Sequence, residues 1–262
     1  MKRVVLYKCI LLGSTLGLTF SSFGQGMAYG IDAQKKLWLF DLATAASTEI
    51  GTTSITAQGL GMDPSGALYA VTSSGGLYSM NKTTAAATLI GFSGIGIMTS
   101  MDWDSDGSRM LVTNDLAPGS VYSISLTTAA VTLVKTMTSG TTPIQTLAVR
   151  PGGTIADVRV GSGIAGSFGD KHATVDLTSG TLSILSGVFS DINGMDYGSN
   201  GVLYGLTTTG RLVSIVPGTG AETDIGLVNG GIAFTGMTAV VPEPSVWIGL
   251  TLGALALRRR RR

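Results

Sequence analysis

From Gln25 to Val240 the chain is a succession of short apolar or alternating runs, each closed by Gly, Ser or Asp. One unit reads Gly-Leu-Gly-Met-Asp-Pro-Ser-Gly over 59–66, Ala-Leu-Tyr-Ala-Val-Thr over 67–72, Gly-Leu-Tyr-Ser-Met-Asn over 76–81 and Ala-Ala-Thr-Leu-Ile-Gly over 86–91. Runs of this length, with period two and turn residues at their ends, predict strands. Four strands in about 40 residues predict one propeller blade.

The unit recurs. A first strand is read at Gly61-Met62-Asp63, Ser100-Met101-Asp102, Thr146-Leu147-Ala148, Gly194-Met195-Asp196 and Gly236-Met237-Thr238. The steps between the central residues are 39, 46, 48 and 42. Second-strand copies lie at 29–31, 68–70, 110–112, 155–157 and 203–205. Fourth-strand copies begin at Thr48, Thr88, Thr132, Ser183 and Thr223. The ends complement each other: the repeat region opens on a second strand near Met27–Asp32, and one first-strand copy is left over at Phe234–Ala239. The expectation is an all-β propeller of five four-stranded blades, closed by pairing of these two segments, which protects edges that an open array would expose. The repeats resemble those of the lactonase-like and NHL-like propellers, a superfamily whose members include enzymes, binding modules and scaffolds. That resemblance assigns no activity.

Two segments stand apart from the repeats. Lys2, Arg3 and Lys8 precede an apolar run from Cys9 to Phe20, and small residues follow. This reads as a signal peptide over residues 1–24, cut by signal peptidase after Gly24, with Gly26 and Ala28 as alternative cut sites. At the other end, residues 241–262 read Val-Pro-Glu-Pro-Ser, an apolar run of 12 residues from Val246 to Leu257, and five arginines, Arg258, Arg259, Arg260, Arg261 and Arg262. Pro242 and Pro244 fix φ and remove two donors, which holds Glu243 in an extended, accessible segment. As a helix the run would be roughly 18 Å long, short against a bilayer core of about 30 Å. The arginines can snorkel and would stay cytoplasmic, stopping the chain at the membrane. That describes a transient anchor with the repeat domain outside.

Motif, apolar run and Arg cluster, in that order, resemble the PEP-CTERM sorting signal of Gram-negative bacteria. The resemblance implies that an exosortase recognises Pro242, Glu243 and Pro244, cleaves there, and delivers the protein to the envelope exterior. It covers only the tail.

Processing would change the charge. The whole chain carries 17 basic and 16 acidic residues. Three basic residues lie in the leader and five in the tail, which leaves nine and a charge near −7. An acidic domain is a poor partner for nucleic acid, whose affinity rests on phosphate neutralisation. Cys9, the one cysteine, leaves with the leader, so the remaining domain has no disulfide and no thiol nucleophile.

Candidate chemistry is sparse. Asp102, Asp104 and Asp106 alternate ahead of Gly107 and resemble the start of a calcium loop. The remaining ligands are missing, with Met110 at the ninth position and Thr113 at the twelfth. The same residues also read as a turn between strands. Calcium is the one cofactor candidate. Asp63, Asp102 and Asp196 recur at strand ends and could ring one mouth of the channel. A glycine-rich stretch at 160–171, followed by the only histidine, His172, is the longest loop, and Asn114–Ser120 could join it on one face. Trp38 and Trp103 read as blade packing. No HExxH, CxxC, phosphate-binding loop or G-x-S-x-G elbow occurs. The expectation is a non-enzymatic envelope or extracellular-matrix protein that binds exopolysaccharide or surface proteins. The alternative is an exported propeller enzyme, a lactonase-like hydrolase or a polysaccharide lyase.

Overall fold

A computed structural model of the chain describes residues 26–116, 118–138, 143–161, 171–185 and 191–240. The expected signal peptide lies outside the described residues, as does most of the glycine-rich loop. So does the whole sorting tail: the motif Pro242, Glu243 and Pro244, and the membrane stop Arg258, Arg259, Arg260, Arg261 and Arg262.

The described residues form five four-stranded antiparallel sheets. Blade 1 contains β1 (Met27–Asp32), β2 (Lys36–Asp41) and β3 (Ser47–Thr52), with β20 (Phe234–Ala239) as its innermost strand. Blade 2 runs from β4 (Ala57–Met62) through β5 (Leu68–Thr72) and β6 (Gly76–Met80) to β7 (Ala87–Phe92). Blade 3 contains β8 (Met98–Asp104), β9 (Arg109–Asn114), β10 (Ser120–Ile124) and β11 (Val131–Thr136). Blade 4 contains β12 (Ile144–Val149), β13 (Ile155–Val160), β14 (Lys171–Asp176) and β15 (Leu182–Ile184). Blade 5 contains β16 (Ile192–Tyr197), β17 (Leu203–Thr207), β18 (Arg211–Ile215) and β19 (Glu222–Leu227). Each innermost strand packs against those of both neighbouring blades. The five-bladed ring is therefore closed by β20 pairing with β1, Tyr29 opposite Thr238 and Gly30 opposite Met237, as the two incomplete ends of the repeat predict.

Burial grades from the axis outward and explains the composition. β17 is buried at every position, whereas β3, β7 and β19 share a pattern with three of six residues exposed. Strands covered by sheet on both faces read as continuous apolar runs, which is why few charges fit. The axis also demands small residues. A Cβ on Gly194 would lie 2.5 Å from Met237 N, and one on Gly59 would lie 2.8 Å from Ser100 Cα.

The blades are also joined at the rim. The turns before the fourth strands place Ala45, Ala85 and Ala129 at φ near 60°. In each, the amide closes on the carbonyl four residues back, as with Ala85 N to Asn81 O at 2.9 Å. Asn81 Oδ1 accepts from Thr83 N and Thr84 N. Left-handed alanine costs roughly 1–2 kcal/mol. The contact it makes accounts for its use: the turn carrying Ala129 packs onto Gly91 of the preceding blade, where a Cβ would lie 2.8 Å from Thr128 O.

One repeat departs from the register that the sequence predicts. A bulge lies between Ala57 and Gly59, as it does between Met98 and Ser100. Aligned on these bulges, Leu60 is the partner of Met101, and Gly61 is the partner of Asp102. Met62 and Asp63 therefore stand two residues too far along. The slip keeps every side chain on its face, because strand periodicity is two.

Candidate functional site

At the end of the innermost strands one position is occupied in turn by Gly61, Asp102, Ala148, Asp196 and Thr238, opposite Tyr69, Leu111, Asp157, Tyr204 and Tyr29. The next position is Met62, Trp103, Val149, Tyr197 and Ala239. These last five residues ring a cavity of about 320 Å³, together with Asp102, Asp196, Thr238, Ser105, Ser199 and Val240. The site thus lies at the ring mouth where the inner strands end.

Strand geometry places Asp102 and Asp196 alike. Successive side chains point to opposite faces, so each Asp reaches toward the following blade while the aromatic residue after it turns back. Asp102 Oδ2 accepts Val149 N at 2.7 Å, and Oδ1 accepts its neighbour Trp103 N at 2.7 Å. Asp196 Oδ2 accepts Ala239 N at 2.7 Å and the Thr238 hydroxyl at 3.0 Å, and Oδ1 accepts Tyr197 N at 2.6 Å. Both carboxylates are buried. Burial, and then the charge of Asp196, hold the Asp102 carboxyl well above its ordinary range. Burial raises Asp196 to about 6. The N–H donors oppose the shift in both cases.

The joint between blades 4 and 5 uses another device. Asp157, fully buried, pairs with His172 Nε2 at 2.8 Å and accepts from Arg150 Nε at 2.7 Å and the Tyr197 hydroxyl at 2.6 Å. Burial pushes the Asp157 carboxyl up, but these three hydrogen bonds outweigh it and hold the group at about 2. Burial and the bond to Asp157 raise the Tyr197 phenol. The network fixes the Tyr197 ring at the cavity wall.

The structure brings together Asp102 and Asp196 but not the other carboxylates read with them. Asp63 belongs to the turn after β4, where Oδ1 accepts Ser65 N at 2.9 Å and Ala67 N at 3.0 Å. It is the counterpart of Asp104, not of Asp102. The calcium expectation at Asp102, Asp104 and Asp106 meets no converging set. Asp102 faces blade 4, Asp104 pairs with Arg109 Nε at 2.9 Å and accepts Gly107 N, and Asp106 is exposed in the turn. Among the described residues no group of three or more His, Cys, Asp or Glu side chains is placed to hold a metal ion. His172 is a buried partner of Asp157 and not a loop residue poised for ligand. Trp103 packs on the blade 2–blade 3 core and also lines the cavity. Trp38 is held within blade 1 by Nε1 donating to Asp32 Oδ2 at 2.8 Å. Sequence reasoning missed that Trp103 and Tyr197 line one cavity. The signal was present: an aromatic residue directly follows Asp in two copies of the first strand.

No protein-family model and no curated protein matches the chain. Solved structures do. A chain of a nidogen/laminin complex superposes with a TM-score of 0.53 at 11% identity, over 81% of this chain and 83% of that one. TolB from Acinetobacter baumannii superposes with a TM-score of 0.54 at 14% identity, over 83% of this chain and 67% of that one. At these identities the likeness is one of fold: this is a β-propeller.

Proposed function

We propose that this protein is an exported, exosortase-processed propeller of the cell envelope or extracellular matrix, and that it binds a ligand, without turning it over, in the Asp102–Asp196 cavity. The observation that supports binding over catalysis is the state of the two carboxylates. Each already accepts one backbone N–H from the next blade and one from its own strand, so moving a proton or a nucleophile there would disturb the ring. Around them Trp103 and Tyr197 offer aromatic faces, and Ser105, Ser199 and Thr238 offer hydroxyls. Aromatic faces beside polar groups suit a sugar residue of an exported polysaccharide.

Export rests on the leader and on the tail with Pro242, Glu243, Pro244 and the arginines Arg258, Arg259, Arg260, Arg261 and Arg262. The fold is compatible with it. A cut after Ala28 would remove Met27 and Ala28, which pair with Asp41, Phe40 and Ala239, so a cut after Gly24 suits the fold better. Val240 lines the cavity and donates its N–H to Met27 O at 2.8 Å. The described chain therefore enters β1 and leaves β20 at the cavity rim.

The enzyme reading has one observation behind it, two buried carboxylates raised together in one cavity, a pattern found in acid–base sites. One experiment separates the two. Incubation of the protein with exopolysaccharide from the producing cells should give retention on the polymer with no new reducing or unsaturated ends. Release of such ends, abolished in the Asp102→Asn/Asp196→Asn variant, would establish the enzyme.

A further inference from the structure

The wall of the Asp102–Asp196 cavity carries charge of one sign. Two carboxylates line it, and among the described residues that line it there is no Lys, Arg or His. Guanidinium groups on the adjoining strands are engaged elsewhere, Arg109 with Asp104 at 2.9 Å and Arg150 with Asp157 at 2.7 Å.

The fold does not require an acid at either place. The same position in blades 1, 2 and 4 is Thr238, Gly61 and Ala148, so a joint closes there without one. Asp102 and Asp196 stand on alternate blades, with the methyl group of Ala148 at that level of the blade between them. They also sense each other. After burial, the charge of Asp196 is the largest influence that holds the Asp102 carboxyl up, and Asp104 adds to it. Like charges buried without a counter-ion are costly, and a bound cation relieves that cost.

The rest of the wall suits such a cation. A carboxylate offers about four lone-pair sites. Backbone N–H groups take two on Asp102, and two N–H groups and the Thr238 hydroxyl take three on Asp196. Both acids therefore keep acceptor capacity for an ammonium, which donates three hydrogen bonds. Trp103 and Tyr197 line the same cavity, and aromatic faces attract a cation. Ser105 and Ser199 remain for hydroxyls.

We propose that the ligand of this cavity is a cationic amino sugar, its free ammonium taken by Asp102 and Asp196 and its ring by Trp103 and Tyr197. The inference rests on the reading of this cavity as a sugar site, and narrows it to sugars with an unacylated amine.

Proton release should report the pairing. Burial raises both carboxyls, Asp196 to about 6, so each keeps its proton in part below that pH and an ammonium must displace it. The other titratable or charged groups packed around them are Asp104 with Arg109 in blade 3, Arg150 with Asp157 and His172 in blade 4, and Tyr29 opposite Thr238 in blade 1. Asp157, held at about 2, keeps its charge across the range tested.

The test uses the full chain in a detergent without sugar. Glucosamine and galactosamine are each compared with their N-acetyl forms by saturation-transfer NMR and calorimetry, with calcium as a control. At pH 6.5 at least one amine should bind tenfold or more tighter than its acetylated counterpart. Its affinity should fall tenfold or more by pH 4.5. At pH 5.5 binding should release protons, read from calorimetry in buffers of different ionisation heat. Asp102→Asn and Asp196→Asn should each weaken the amine tenfold or more. Should a variant fail to fold, the ligand comparison and the proton count on the parent decide. An acetylated sugar that binds as tightly as the amine overturns this inference and leaves the cavity a sugar site. Binding of no sugar overturns both readings. Amine binding without proton release, amine binding unchanged in the folded variants, or binding of calcium alone also overturns the proposal.

Discussion

The carboxylate of Asp196 accepts the backbone N–H of Ala239 at 2.7 Å, and so ties blade 5 to the strand that closes the ring. Asp102 makes the matching bond to Val149 N between blades 3 and 4. The two acids at the cavity are thus also the bolts of two joints, and changes at either should move stability and binding together.

Stability should fall as pH rises through 6. Folding raises Asp196 from 3.8 to about 6, so the folded state binds more protons across that interval. The stability linked to this group is full below about pH 4 and is lost above 6, an effect of roughly 3 kcal/mol. Asp102 shifts in the same direction. Asp157, held at about 2, contributes in the opposite sense: its stabilisation is present above about pH 4 and is lost as pH falls toward 2. Thermal melts should therefore peak between about pH 4 and 5 and be lower at pH 7.5. Asp196→Asn keeps an acceptor for Ala239 N and should flatten the alkaline slope. A melting temperature that climbs steadily from pH 5 to 7.5 would contradict this assignment.

The axis should reject even one methyl group. Gly194→Ala forces a Cβ to within 2.5 Å of Met237 N, against backbone that cannot easily give way, and should cost about 1–3 kcal/mol or more. Gly201 has φ near 76° and open space around its Cβ position, so Gly201→Ala should cost only about 1 kcal/mol of backbone strain. Urea titration of both variants compares them directly. Equal midpoints would show that the inner strands are not packed as described.

Removing the Tyr197 hydroxyl should loosen the cavity wall more than the fold. Tyr197→Phe deletes a 2.6 Å bond to a buried carboxylate, worth roughly 1.5–3 kcal/mol. Arg150 and His172 still hold Asp157. The variant should fold, melt lower and bind its cavity ligand more weakly. Unchanged binding with lowered stability would make the network purely structural.

If the tail anchors the precursor, the Asp102–Asp196 cavity should face the membrane, because Val240 lies on its rim. The proposed mature domain has no cysteine, so Ser199→Cys gives a single reporter. Labelling by a charged maleimide should be several-fold slower in the membrane-bound precursor than in the processed form. Equal rates would place the cavity away from the membrane.

Much of the fold was legible because each blade repeats the same alternation, and because the incomplete blade at one end matches the spare strand at the other. The slip at Met62 and Asp63 shows where such reading fails. Gly59-Leu60 and Gly61-Met62 have the same alternation, and nothing in the chain marks the bulge that distinguishes them. The site was less legible. Asp102 and Asp196 come together only through ring closure, and the acids near Asp102 looked like a local calcium loop because carboxylates serve strand turns and ion binding equally well.

The most direct test is ligand binding reported by Trp103. In the Trp38→Phe variant of residues 25–240, Trp103 is the only tryptophan, and it lines the cavity. Titration with fragments of the producer's exopolysaccharide should give a saturable change in its fluorescence, abolished by Tyr197→Ala, with the fragments recovered intact. No saturable change, or fragments recovered cleaved, would contradict the proposal that this propeller binds its ligand there without turning it over.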